Sequence, residues 1–312
     1  MGYQAQELRE ISAEGTDYHS YFEQVKNANR LRNQKLSEKL ESFKGIKISV
    51  GIVGSDSRLE KGSISPLEII VISRGSENPK INDILPEIKK VNNLDPFIEY
   101  KNIMENGIVY TRIGETSIIS PNRILDYFPI VGETALFKKA KQKLSKEIRE
   151  SRTIKEAVRG KVKAHKRITK IGQQKYRGKV LVHFGEGIAY YDPKKHLRSF
   201  KEGPLRLVQW ALIRGKIKAI RENEKLREIV LYELPRNTVE AISFLESEGI
   251  SNLSKEESAD LKDIYKYFLW LYHLSQQKFK KDNKTKIEYD KEEVTERISS
   301  LEKLVARSFI KV

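Results

Sequence analysis

The chain has 312 residues, 38% hydrophobic and 33% charged, without a single cysteine, so a disulfide framework, thiolate metal sites and a catalytic thiol are excluded. A formal charge of +16 asks for an anionic partner or a heavily solvated surface. No stretch approaches the ~18 apolar residues of a membrane helix, and residues 1–14 lack the apolar run of a signal peptide, so no membrane span and a cytoplasmic location are expected.

Thr16 or Asp17 can cap a helix that runs to about Phe43. Phe22, Val25, Leu36, Leu40 and Phe43 share its apolar stripe, and Gly45 ends it. Residues 46–53 alternate Ile46, Ile48, Val50 and Ile52, as a strand does, and a second strand follows at 68–73. Residues 74–79 form a turn cluster. Ile81, Ile84, Leu85, Ile88 and Val91 predict a helix that Pro86 bends or interrupts. Residues 97–100 and 107–113 read as further strands.

Beyond Pro129 the pattern turns helical, apart from a short strand at 179–184 and a loop over 185–195. Helices start near Pro204, Asn237 and Lys255, and again after Tyr289. The expected fold class is therefore α/β (α+β). An α/β domain occupies residues 1–130, and an all-helical domain occupies 131–312.

The charge is concentrated. Residues 137–179 hold seventeen Lys and Arg against three Glu, a net +14. Lys161, Lys163, Lys166, Arg167 and Lys170 form the densest part and are the candidate partner-binding residues. Tyr176 is the only aromatic residue between Arg149 and Lys179, which favours phosphate contact over base stacking. Charge alone leaves RNA, the ribosome and an acidic protein all open as partners.

The stretch that bears on chemistry is residues 54–72, a loop entered and left by strands. Gly54-Ser55 after a buried strand lets backbone N–H groups approach a phosphate, and Arg58 adds a donor fork suited to phosphate oxygens. A strand followed by Gly-Ser is also the make-up of an ordinary turn.

The longer pattern resembles the DNA polymerase β-like nucleotidyltransferase superfamily, whose loop reads Gly-Ser, about ten residues, then Asp-x-Asp at the start of a strand. Residues two apart on a strand face the same way, so two carboxylates there can clamp two magnesium ions on a triphosphate. Bacterial PII-uridylyltransferases add Arg-x-Glu within the loop, similar to Arg58-Leu59-Glu60. Residues 123–137, 191–214 and 265–279 resemble later segments of that family in the same order, with Lys201, Gly203, Leu205 and Arg206 matching one of its motifs.

The resemblance implies a nucleotidyltransferase-type mixed-sheet domain, ATP or UTP as ligand, and Mg²⁺ held at Glu68. It also implies nucleotide-phosphate contacts from Gly54, Ser55, Arg58, Lys201 and Arg206. The chain departs from the family at the acids. Pro66 and Glu68 stand at the Asp-x-Asp positions, and Ser117, with Glu115 as a stand-in, falls where the third acid belongs. Glu60 or Asp56 could move in to replace what Pro66 lacks.

Three functions follow as expectations. The first is a pseudoenzyme that holds an anionic partner on its basic face. The second is a working Mg-dependent transferase that moves a nucleoside monophosphate onto a protein or other acceptor. The third is an RNA-directed transferase or an RNA- or ribosome-bound factor. None of the five histidines has metal-site spacing.

Overall fold

In the computed structural model, residues 11–43, 45, 48–62, 67–73, 81–92, 97–104, 107–112, 124–169, 173–176, 179–183, 187–192, 197–283, 285–307 and 309 are described. The turn at 74–79 and the residues Pro66, Glu115, Ser117 and Lys170 lie outside them.

Two α+β units divide the chain by contact. The first takes residues 25–61 and 65–150, and the second takes 9–24, 62–64 and 151–312; residues 1–8 go with the first. The division in the basic region thus falls after Glu150, where the sequence placed a boundary at 130.

The first unit is built on helix α1 (Tyr18–Lys39), whose opening turns belong to the second unit. Asp17 caps it, its carboxylate accepting from the backbone N–H of His19 at 3.1 Å and of Ser20 at 3.0 Å. Five strands follow: β1 (Ile48–Ile52), β2 (Glu68–Ser73), β3 (Phe97–Met104), β4 (Gly107–Arg112) and β5 (Phe128–Gly132). Helix α2 (Ile81–Asn92) carries Pro86 inside it without being broken, and it supplies the crossover that the parallel pair β2–β3 requires. The sheet order is β4-β3-β2-β1-β5, with every other pairing antiparallel.

Strand β5 escaped the sequence reading because Pro129 sits inside it. Proline is tolerated there because β5 is an edge strand. One sheet face buries Ile48, Val50, Ile52, Ile69 and Val71 against Leu36 of α1, Leu40 just beyond its end, and Ile84 and Ile88 of α2. At Gly51 a Cβ would stand 2.3 Å from Tyr127 Cζ, so glycine makes room for that buried ring, whose hydroxyl meets Ser49 Oγ at 3.0 Å. Helix α3 (Thr134–Glu150) closes this unit, and buries Leu136, Ala140, Leu144 and Ile148.

The second unit corrects the expectation of an all-helical domain. Among its described residues are α4 (Arg152–Thr169), α5 (Arg206–Glu222), α6 (Thr238–Ser247), α7 (Lys255–Asp282) and α8 (Lys291–Ala306). They accompany a second sheet of order β10-β8-β7-β6. Its strands are β6 (Gln173–Tyr176), β7 (Lys179–His183), β8 (Ile188–Asp192) and β10 (Lys286–Glu288), and β9 (Leu197–Arg198) pairs with β8.

The helix starts expected near Asn237 and Lys255 are in place, each with a side-chain cap. Asn237 accepts from the N–H groups of Val239 and Glu240, and Ser254 with Glu257 closes a capping box on α7. Before α5 the chain makes a widened π-type turn, Lys201–Leu205, around Pro204, which cannot donate to a regular ladder. No described helix is long and apolar enough to cross a membrane.

Candidate functional site

The chain leaves β1 at Val53 and makes a single helical turn, Gly54–Ser57. Gly54 has φ +69°, and a Cβ on it would lie 2.5 Å from Glu68 Oε2. Glycine is required here twice, by the backbone and by the carboxylate lying over it. Strands β1 and β2 pair antiparallel, and Val53 N–H donates to Glu68 O at 3.0 Å. The Gly-Ser turn and the half-buried Glu68 therefore face each other across the end of the sheet. Leu59 holds φ +60°, an uncommon conformation for a side-chain-bearing residue, at a cost of about 1 kcal/mol.

Beneath the turn the charges are paired with one another. The Asp56 carboxylate is fully buried, and it takes Arg32 Nη2 at 2.6 Å and Lys61 Nζ at 3.4 Å. Arg58 forks between Glu60 at 2.9 Å and Asp126 at 2.8 Å. Burial pushes Lys61 down to about 8, against the pull of Asp56, and Arg32 adds to the depression. Helix α1 braces the loop: Asn29 donates to Lys61 O at 3.0 Å, and Asn33 to Asp56 O at 3.3 Å.

These pairs bear directly on the expected roles. Arg58 was expected to hold a phosphate, but its guanidinium is buried between two carboxylates and would have to abandon them. Asp56 and Glu60 were the expected substitutes for the acid missing at position 66. Each already answers a buried cation, and breaking such a pair costs about 3–5 kcal/mol. Among the described residues no group of three or more His, Asp or Glu could hold a metal ion. Of the described carboxylates at the turn, Asp56 and Glu60 are held by buried cations, while Glu68 is half-buried.

Lys201 and Arg206 belong to the second unit, while Gly54, Ser55, Arg58 and Glu68 belong to the first. Lys201 Nζ lies 5.8 Å from the centre of the Tyr272 ring, within cation–π reach, and Arg206 opens α5 half-buried.

The basic region is shared out by the fold. In the first unit, α3 exposes Lys138, Lys139, Lys146 and Arg149. In the second, α4 buries Val158, Val162, His165 and Ile168 against α5 and the π-type turn. Lys161, Lys163, Lys166 and Arg167 all stand exposed on it. His165 Nδ1 meets Glu202 O at 2.5 Å. Burial, helped by the charges of Arg206 and Lys161, holds this imidazole below its ordinary range.

Sequence reasoning missed Asn29, Arg32, Asn33, Lys61 and Asp126. For the first three a signal existed. The apolar stripe of α1 has a gap between Val25 and Leu36, and Asn29, Arg32 and Asn33 fall in it at helical spacing. Polar residues on a buried stripe must find polar partners. No protein-family model matches the chain, and no curated protein matches it in sequence.

Proposed function

We propose that the first unit is a catalytically degenerate nucleotidyltransferase-type unit, and that the protein works by holding an anionic partner, RNA, ribosome or acidic protein, on its basic helices. The observation that carries the reading is the closed set of ion pairs under the Gly54-Ser55 turn. The turn and Glu68 resemble half of a metal-nucleotide site, a glycine turn leaving one strand opposite a carboxylate entering its neighbour that could meet phosphate only through a bridging cation. The other acids near the turn neutralise Arg32, Arg58 and Lys61 instead of facing a ligand. A two-metal phosphoryl transfer needs carboxylates open to the ions.

The test is nucleotide transfer. The protein is incubated with Mg²⁺ or Mn²⁺, each α-labelled nucleoside triphosphate and a lysate containing protein and RNA, beside Glu68→Ala. The expected result is no Glu68-dependent label. Label on a protein or RNA band that disappears in Glu68→Ala establishes a working transferase and overturns the degenerate reading.

A further inference from the structure

We infer that the partner of the basic face is the phosphate backbone of a duplex nucleic acid, laid along α4; this rests on the reading above that the face holds an anionic partner. Arg152, Lys155, Arg159, Lys163 and Lys166 are all exposed and follow one another at intervals of three, four, four and three residues. That spacing keeps them on one side of a helix. Arg167 stands beside the row and exposed Lys161 on the far side.

The row is about 21 Å long at 1.5 Å per residue. One strand of a duplex brings a charge every ~3.4 Å of axis, so about six phosphates span the same length. Glu156 is the one carboxylate on α4, and Arg152 already engages it at 2.9 Å. None of Lys155, Arg159, Lys163, Lys166 and Arg167 closes an ion pair with a described residue.

What accompanies the row separates the partner classes. A protein interface is anchored by aromatic or large aliphatic side chains in a desolvated centre. The exposed residues of α4 besides its charges are Thr153, Ala157 and Gly160. The large hydrophobic residues exposed among the described residues are Leu31 and Tyr232, neither on α4. Single-strand binding stacks bases on aromatic rings, and α4 has none. A duplex backbone needs only charge and close approach.

Gly160 fits close approach. It sits mid-helix, where glycine costs about 1 kcal/mol against alanine. A Cβ there would meet nothing within 4 Å, so packing does not ask for glycine. With Thr153, Ala157 and the half-exposed Ala164 it leaves a low surface beside the cations.

The experiment titrates the whole protein onto duplex RNA, duplex DNA, a single-stranded oligonucleotide and polyglutamate of matched charge, across a salt series. Arg159→Ala/Lys163→Ala is compared with Lys255→Ala/Lys280→Ala, which removes the same charge from exposed positions on α7. Circular dichroism confirms that each variant is folded.

The expected result is duplex binding whose slope of log K on log salt becomes shallower by about two in the α4 variant, with affinity falling on the order of tenfold or more. The α7 variant should change little. Binding of RNA, of DNA or of both duplexes identifies the source, and each supports the inference. Polyglutamate or the single strand binding as well as duplex, equal losses in the two variants, or no duplex binding overturns it.

The two failures are distinguishable. Nucleotide transfer in the labelling assay removes the degenerate reading and leaves the α4 result standing. Polyglutamate binding through Arg159 and Lys163 without duplex binding removes this inference and leaves an acidic protein as the partner.

Discussion

Around the Gly54-Ser55 turn, three cations and three carboxylates face one another inside the protein, whereas along α4 a row of cations faces water. The same residue types therefore do opposite things. Charges taken out of water must be matched locally, because an unmatched one costs several kcal/mol. Charges left in water are cheap to keep, and their field reaches outward over about a Debye length. Sequence counts the two alike, and only burial separates a charge that holds the fold from one available to a partner.

Disturbing the buried pairs should cost most. Arg58→Ala strands Glu60 and Asp126 without their shared cation, and should cost about 3–5 kcal/mol in denaturant unfolding. A loss below about 1 kcal/mol would mean that these carboxylates are not tightly coupled. Next, Gly54→Ala places a methyl against Glu68 Oε2 at a positive φ, and should cost about 1–3 kcal/mol. Combining it with Glu68→Ala should return part of that, and full additivity in the double-mutant cycle would argue against the contact.

Two buried groups, Lys61 and His165, should make stability depend on pH. Lys61 releases its proton near pH 8 in the folded protein, below the ordinary 10.5. Between those values the unfolded chain holds the proton more tightly, so this group's contribution to stability should rise with pH. The stability of the wild type relative to Lys61→Met should therefore increase from about pH 8 to 10.5, and a flat difference would refute a depressed lysine. His165 also has a depressed folded value, so the unfolded chain protonates first as pH falls below 6.5. The wild type should lose stability there relative to His165→Gln, and parallel curves would show that the ring is not held neutral.

The smallest effect lies on the exposed side. Single alanine substitutions at Lys155, Arg159, Lys163 or Lys166 should each shift stability by no more than about 0.5 kcal/mol. A larger loss would mean that the row is part of the fold.

How much was legible depended on how local the signal was. The strand at 68–73, the cap Asp17 and the helix start near Asn237 were readable, because alternation and capping are short-range. Glu68 opposite the Gly-Ser turn was expected from the family resemblance, not from periodicity. Strands β6, β8, β9 and β10 were not, since short strands paired across long separations leave almost no periodicity. The pairing of Arg58 with Asp126, 68 residues away, was equally invisible. Sequence could nominate Arg58 as a phosphate ligand, but it could not see the carboxylate already waiting for it.

The way the second unit gathers its first pieces has a consequence in time. Ala13 donates to Gln277 at 2.8 Å and accepts from Trp270 at 2.8 Å, and Tyr18 donates to Asp263 at 2.9 Å. During synthesis the segment around Ala13 emerges first, and its partners on α7 come some 250 residues later. At roughly 5–20 residues per second, that is a wait of roughly 12–50 s. Until then the early segment has neither its hydrogen bonds nor its burial. A nascent chain stalled before α7 should expose it to protease, and release should protect it.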